Sequence, residues 1–115
     1  MILVKIFKDD LGFIRKYTIS GHADYDLYGQ DIVCAAISIL SHTTLASLVE
    51  VCEISESIID YNADEEKGYL DVNLPKNLEK LKLDRSQVLL RALEVGVKSV
   101  IESYPKYVTL EYGEV

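Results

Sequence analysis

The sequence predicts an α+β fold in which a mostly antiparallel sheet carries two long helices on one face. Short segments of strand character come in pairs joined by tight turns, and two long segments with helical spacing separate them. The element order is ββαββαβ, and hairpin pairing of neighbouring strands makes the sheet mostly antiparallel. The 115 residues and the 49% hydrophobic content fit a single domain, 1–115, with its own core.

Five segments have the alternation or the β-branched composition of strands: 2–8, 13–19, 57–62, 69–74 and 107–112. The turn at 9–12 joins the first two into a hairpin, and the acidic turn at 64–68 joins the next two. Pro75 ends the fourth strand, since proline cannot continue a strand ladder.

Asp31 is a good N-cap for the first predicted helix, which runs to about residue 53. Asp84 is predicted to cap the second, with Gln87 as its capping-box partner and Pro105 as its stop. Gly96 lies beside the apolar stripe of that helix, where it permits close packing. The two stripes are Val33, Ala36, Ile37, Leu40, Thr44, Leu48 and Val51, and Leu89, Leu93, Val97, Val100 and Tyr104.

Cys34 lies just inside the predicted start of the first helix, after a polar loop at 20–30. Backbone N–H groups in a first helical turn lack intrahelical partners and carry partial positive charge. They would stabilise a thiolate and also the oxyanion of a tetrahedral intermediate. His22, at the end of the second strand, can return close to Cys34 and serve as its proton partner in acyl transfer.

Asp31, or Asp24 or Asp26, is a candidate to orient the imidazole, and Ser38 lies one turn past Cys34. Simpler readings stand beside these. Cys34 is also compatible with inert core, His22 with a structural or surface role, Asp31 with capping alone and Ser38 with an ordinary helical serine. Tyr25 and Tyr28 fit loop anchors, and Cys52 and His42 fit bystanders.

The stretch from Gly21 to Ser38, with G-H-A at 21–23, then Gly29, Asp31 and D-I-V-C-A-A-I-S at 31–38, resembles the ribosomal-processing cysteine protease family (Prp). The resemblance spans nearly the whole chain, but its specific part is confined to residues 21–38. It implies an α+β homodimer of the bacterial cytoplasm, with Cys34 as nucleophile, His22 as general base and acid, and Gly21, Asp31 and Ser38 as supporting residues.

The implied reaction removes a short N-terminal extension from a basic large-subunit ribosomal protein, number twenty-seven. The loop at 23–30 is hypothesised to be a lid that orders when the peptide binds. Its candidate substrate-binding residues are Ala23, Asp24, Tyr25, Asp26, Tyr28 and Gly29. Two other classes remain open: a non-enzymatic acidic adaptor for a basic ribosomal protein, and a redox-sensing thiol.

The net charge of −7 argues against direct nucleic-acid binding, and residues 17–66 contain no lysine or arginine. That stretch is either an ordinary solvated acidic surface or a field that attracts a basic partner.

Cys34 and Cys52 lie roughly 27 Å apart along a helix, too far for a disulfide, which fits a reducing cytoplasm. No metal spacing is present, no cofactor is expected, and no apolar run approaches the roughly 18 residues that span a membrane.

Overall fold

The computed structural model describes residues 1–21 and 28–115, and the side chains of residues 28–31 lie outside that description. Over this part of the chain the element order agrees with the predicted ββαββαβ, with a short 3₁₀ turn at Glu56–Ile58 before the third strand. The elements are β1 (Ile2–Lys8), β2 (Ile14–Ser20), α1 (Tyr28–Glu50), β3 (Asp60–Asp64), β4 (Tyr69–Asn73), α2 (Lys80–Ser103) and β5 (Val108–Glu114).

The described strands form one sheet in the order β3-β4-β2-β1-β5. Three of the neighbouring pairs are antiparallel, as the hairpins predict. β5 instead runs parallel to β1, with Ile2 opposite Val108 and Lys8 opposite Glu114. The sheet is therefore mixed, because α2 carries the chain across before β5 starts, as a parallel pair requires.

Both helices pack on one face of the sheet, which confirms the predicted two-layer arrangement. The buried side chains of that face come from alternate positions of neighbouring strands, such as Val4, Ile6 and Tyr17. Tyr17 donates its hydroxyl to the Ser41 carbonyl of α1 at 2.9 Å. On α2, Gln87 bonds both the backbone N–H and the carbonyl of Ile14, at 2.7 and 2.9 Å. Both helices are thus attached to β2.

The two helices contact each other closely at Gly96. A Cβ atom at that position would lie 2.8 Å from Cδ2 of Leu40 on α1. The predicted role of Gly96 in close packing is therefore confirmed, because any side chain there would collide with Leu40.

α1 begins earlier and ends earlier than the sequence predicts. It starts at Tyr28, so Asp31 lies inside its first turn and is not the N-cap. It ends at Glu50, and Val51, assigned to the buried stripe, is 63% exposed. Beyond the end, Glu53 adopts a φ of 58°, and the Ile54 N–H returns to the Leu48 carbonyl at 3.1 Å. The chain reverses there, which places Cys52 outside the helix.

α2 begins at Lys80, one turn before the predicted start, with Glu79 as its N-cap residue. Asp84 therefore lies within the helix, where it pairs with Lys80 at 3.6 Å. Gln87 is not a capping-box partner, because its amide is engaged with β2. The sequence prediction starts the helix too late, because two of the four residues at 80–83 are leucines and Leu83 is buried as part of the helix.

The segment Ile32–Glu50 of α1 is long and apolar enough to cross a membrane by length and composition alone. The expectation that no apolar run reaches that length was therefore wrong. Serine, threonine and histidine side chains interrupt the segment, but its mean hydropathy remains as high as that of a membrane-spanning helix. Val33, Ile37 and Leu48 of this segment belong to the core that α1 shares with the sheet, so the apolar character has a structural role here.

Candidate active site

A cleft of about 320 Å³ opens where four parts of the fold meet. The N-terminal half of α1 forms one wall, the end of β2 forms the floor, and the β3–β4 turn with the start of β4 forms the opposite wall. It is lined by Ile2, Ile19, Gly21, Cys34, Ile37, Ser38, Ser41, His42, Ala63, Asp64, Glu65, Gly68, Tyr69 and Leu70. Three residues singled out from the sequence, Gly21, Cys34 and Ser38, thus come together.

Cys34 reaches the cleft because the packing of α1 fixes its direction. Val33 and Ile37 on either side are almost fully buried against the sheet, at 0% and 2% exposure. Cys34 consequently lies at the edge of the contact between α1 and the sheet, where it is partly buried. Ser38 follows one turn later on the same side and is exposed. A partly buried thiol at a cleft wall is accessible to a peptide carbonyl.

Gly21 occupies a position that only glycine fits. Its φ is +94°, which disfavours any L side chain, and a Cβ atom there would lie 2.3 Å from the Met1 carbonyl oxygen. The close approach brings the start of β1 against the end of β2 at the cleft floor, immediately before His22.

Cys34 does not lie in the first turn of α1. Because α1 starts at Tyr28, the N–H groups without intrahelical partners are those of its first four residues, and Cys34 is the seventh residue. The dipole effect also falls off within the first turn. The unpaired N–H groups that were predicted to stabilise the thiolate and the oxyanion therefore do not lie at Cys34.

The remaining predicted site residues have mixed outcomes. His22, Ala23, Asp24, Tyr25 and Asp26 lie outside the described residues, so their roles stay predictions. Tyr28 and Gly29 belong to the first turn of α1 rather than to a loop, and Asp31 belongs to that turn as well; their side chains lie outside the description. The predicted loop at 20–30 is therefore shorter than the sequence indicates.

Several cleft residues were missed or misjudged from the sequence. His42, interpreted as a bystander, lines the same cleft as Cys34. The two side chains are roughly 80° apart around the axis of α1, and the cleft is wide enough to reach both. Asp64 and Glu65 contribute carboxylates from the β3–β4 turn. Their membership in the lysine-free stretch 17–66 is the signal that could have found them.

Cys52 differs from Cys34 in its burial. It is 1% exposed and packs in the core behind the end of α1. Burial raises the pKa of its thiol, against a smaller opposing effect from Arg85. A buried thiol of this kind is inert, so Cys52 is a poor candidate for a nucleophile or a resolving cysteine.

Comparison with known families identifies the chain. The model of the family described as cysteine protease Prp matches residues 1–109. The chain belongs to the cysteine protease Prp family. It is therefore a cysteine protease, and Cys34, the cysteine at the cleft, is the candidate nucleophile of this Prp-family member.

Individual Prp proteins resemble the chain over nearly its full length. The ribosomal processing cysteine protease Prp of Staphylococcus aureus is 28% identical over 112 residues, which cover 97% of this chain and 99% of that protein. The Prp of Bacillus subtilis is 23% identical over 91 residues, 79% of each protein.

Solved structures share the Prp fold. The crystal structure of SMU.848 from Streptococcus mutans has a TM-score of 0.84 and 27% identity, and the match covers 100% of this chain and 96% of that one. The essential ribosomal processing protease Prp from S. aureus, in complex with a substrate peptide, has a TM-score of 0.81 and 26% identity over 97% and 99% of the two chains. The same protease has been solved with a covalently linked product peptide.

Proposed function

We propose that this Prp-family protease removes the N-terminal extension of a basic ribosomal protein, large-subunit protein number twenty-seven, by Cys–His acyl transfer, and thereby supports ribosome assembly. The observation that carries the proposal is the position of Cys34 in a cleft that is open to solvent and walled by Asp64 and Glu65. The S. aureus relative, whose name states ribosomal processing, supports it through its complexes with substrate and product peptides.

The reaction has two halves. His22 accepts the proton of the Cys34 thiol, and the sulfur attacks the scissile carbonyl to form a tetrahedral intermediate. The C–N bond then breaks, the shortened ribosomal protein leaves as an amine that takes its proton from His22, and the N-terminal peptide stays as a thioester. Water, deprotonated by His22, attacks the thioester and releases the peptide acid and the thiol.

Supporting residues act around these two groups. Ser38, which is exposed one turn beyond Cys34 and lines the cleft, is proposed to contact the sulfur or to donate its hydroxyl to a substrate carbonyl. Gly21 fixes the chain immediately before His22. Asp31 is proposed to orient the imidazole. Because Cys34 lies too deep in α1 to use the unpaired N–H groups of the helix end, His22 is proposed to be the main stabiliser of the thiolate.

The electrostatics of the cleft suit the substrate class. Asp64 and Glu65 stand at its wall, and residues 17–66 contain no lysine or arginine. Such a field attracts and orients a basic ribosomal protein. It disfavours acidic peptides by like-charge repulsion, which gives selectivity as well as attraction.

A direct cleavage assay tests the proposal. Wild type, Cys34→Ala and the matched control Cys52→Ala are each mixed with the extended ribosomal protein, and the products are weighed by mass spectrometry. Cleavage by wild type and Cys52→Ala, with none by Cys34→Ala, is expected. Binding without cleavage by the wild type would favour an acidic adaptor, and cleavage by Cys34→Ala would rule out this nucleophile.

We also propose that the protein acts in the cytoplasm as a homodimer, without binding nucleic acid or membrane. Two thiols and no disulfide in the described chain are compatible with a reducing compartment. The outward side of the helices exposes large apolar side chains, including Ile39, Val88 and Val95, at 65%, 70% and 63%. Exposed apolar side chains of this kind favour association, and sedimentation equilibrium would measure it.

A further inference from the structure

The edge strand β3 leaves its helix-facing side uncovered. Tyr61 lies opposite Val72, and Ala63 lies opposite Leu70. Residues opposite each other share a face of the sheet, and Val72 and Leu70 are buried below the helices. Tyr61 and Ala63 therefore face the helix layer as well, yet both are exposed. α1 stops short of β3, and a groove runs between them.

A second section of this groove lies next to the cleft of Cys34, along α1. It has a volume of about 280 Å³. His42 lines both the cleft and this section, so the two are adjacent. The other lining residues of the second section are Leu45, Ala46, Val49, Glu50, Glu56 and Tyr61.

The second section is apolar at its base and acidic at its far end. Leu45 and Val49 supply aliphatic surface, while Glu50 and Glu56 are exposed carboxylates. Tyr61 donates its hydroxyl to Glu56 at 2.6 Å, which fixes that carboxylate at the groove. Within residues 1–21 and 28–115, neither glutamate forms an ion pair with a lysine or arginine. A long basic side chain matches this surface, with its methylenes on the leucine and valine and its charge at the glutamates.

We propose that this second section is a subsite that binds a lysine or arginine side chain of the substrate, remote from the scissile bond. The inference rests on the proposed proteolytic function. α1 rises about 1.5 Å per residue, so residues 45–50 lie roughly 16–24 Å from Cys34 along the helix. An extended peptide advances about 3.3 Å per residue, which places the recognised basic residue about five to seven positions from the cleaved bond.

Peptides with a single lysine provide the test. The parent peptide spans the cleavage site of the ribosomal protein, with alanine replacing every basic residue. Single lysines are then introduced five, six or seven residues before or after the scissile bond, and kcat/KM is measured at low salt. A lysine at one of these positions is expected to raise kcat/KM about three- to tenfold over the alanine peptide, from two exposed ion pairs.

The double variant Glu50→Gln/Glu56→Gln should remove this preference and leave cleavage of the alanine peptide unchanged. Glu102→Gln, an exposed glutamate of α2 outside the groove, is the matched control and should keep it. Cleavage without any lysine preference would overturn the subsite alone. Cleavage of no peptide, the unmodified extension included, would overturn the proposed function as well. A changed sedimentation state of the double variant with unchanged peptide selectivity would assign the groove to a second copy of the chain, against the inference.

Discussion

Gly21→Ala tests whether the close approach of β1 and β2 holds the cleft in shape. The new Cβ atom would lie 2.3 Å from the Met1 carbonyl oxygen, whereas real Cβ atoms essentially never approach other heavy atoms below 3.0 Å. The obstacle is backbone, so it cannot swing aside as a flexible side chain would. The positive φ of +94° adds a conformational cost that is independent of the clash.

The chain offers a matched control in Gly12→Ala. Gly12 also has a positive φ, +88°, but apart from its chain neighbours no atom of the described residues lies within 4 Å of its would-be Cβ. It should therefore lose only the conformational part, about 1 kcal/mol of unfolding free energy. Gly21→Ala should lose about 2–4 kcal/mol, because overpacking adds about 1–3 kcal/mol. The difference between the two variants isolates the clash.

Urea unfolding measures both free energies, and cleavage of the ribosomal protein measures activity. The displaced backbone lies on the cleft floor directly before His22, so kcat/KM of Gly21→Ala should fall roughly 10- to 100-fold, as for shifts of about 1 Å at other active sites. Gly12→Ala should keep full activity. Equal destabilisation of the two variants, or full activity of Gly21→Ala, would refute the reasoning.

Three further predictions concern the packing that supports the site. Burial raises the pKa of Tyr17 above its value in the unfolded chain, where tyrosine ionises at about pH 10. The contribution of Tyr17 to stability should therefore be complete below about pH 10 and should decline at higher pH. In urea titrations, Tyr17→Phe should lower the unfolding free energy by about 1 kcal/mol at pH 7 and should flatten the alkaline decline. Gln87→Met leaves the N–H and carbonyl of Ile14 without their partner and should destabilise by about 2–3 kcal/mol in the same assay, whereas a neutral result would mean that water replaces the amide. Gly96→Ala gains about 1 kcal/mol of helix propensity, but its new Cβ atom meets Leu40. It should therefore raise the unfolding free energy clearly only in the Leu40→Ala background, compared with Leu40→Ala alone. Additive effects in this double-mutant cycle would contradict the contact.

The fold was largely predictable because its strands alternate and its helices carry continuous apolar stripes. The parallel pairing of β5 with β1 was not, since residues 107–112 look the same in either direction and only the crossover by α2 decides the outcome. The predicted N-terminal ends of the two helices were also wrong. Asp31 and Asp84 both have N-cap chemistry, but each helix begins about one turn before them.

The candidate nucleophile was predictable and its surroundings only in part. Cys34 stood out through its place between a polar loop and an apolar helix, and the cleft confirms that it is accessible. His42 and the acidic turn at Asp64 and Glu65 come from other parts of the chain and meet Cys34 only through the tertiary fold. A sequence pattern records neighbours along the chain, so it could not place them at the cleft.

The position of Met1 against Gly21 has a practical consequence for work with this protein. Ile2 lines the cleft and Met1 is exposed, so residues fused ahead of Met1 start beside the cleft. An affinity tag placed there could enter the groove as a competing peptide and distort measured kinetics. The other end of the chain lies beside Lys8, whose carbonyl accepts the Val115 N–H at 3.1 Å. Because β1 spans about 20 Å between Ile2 and Lys8, a tag fused after Val115 starts at the opposite end of β1 from the cleft.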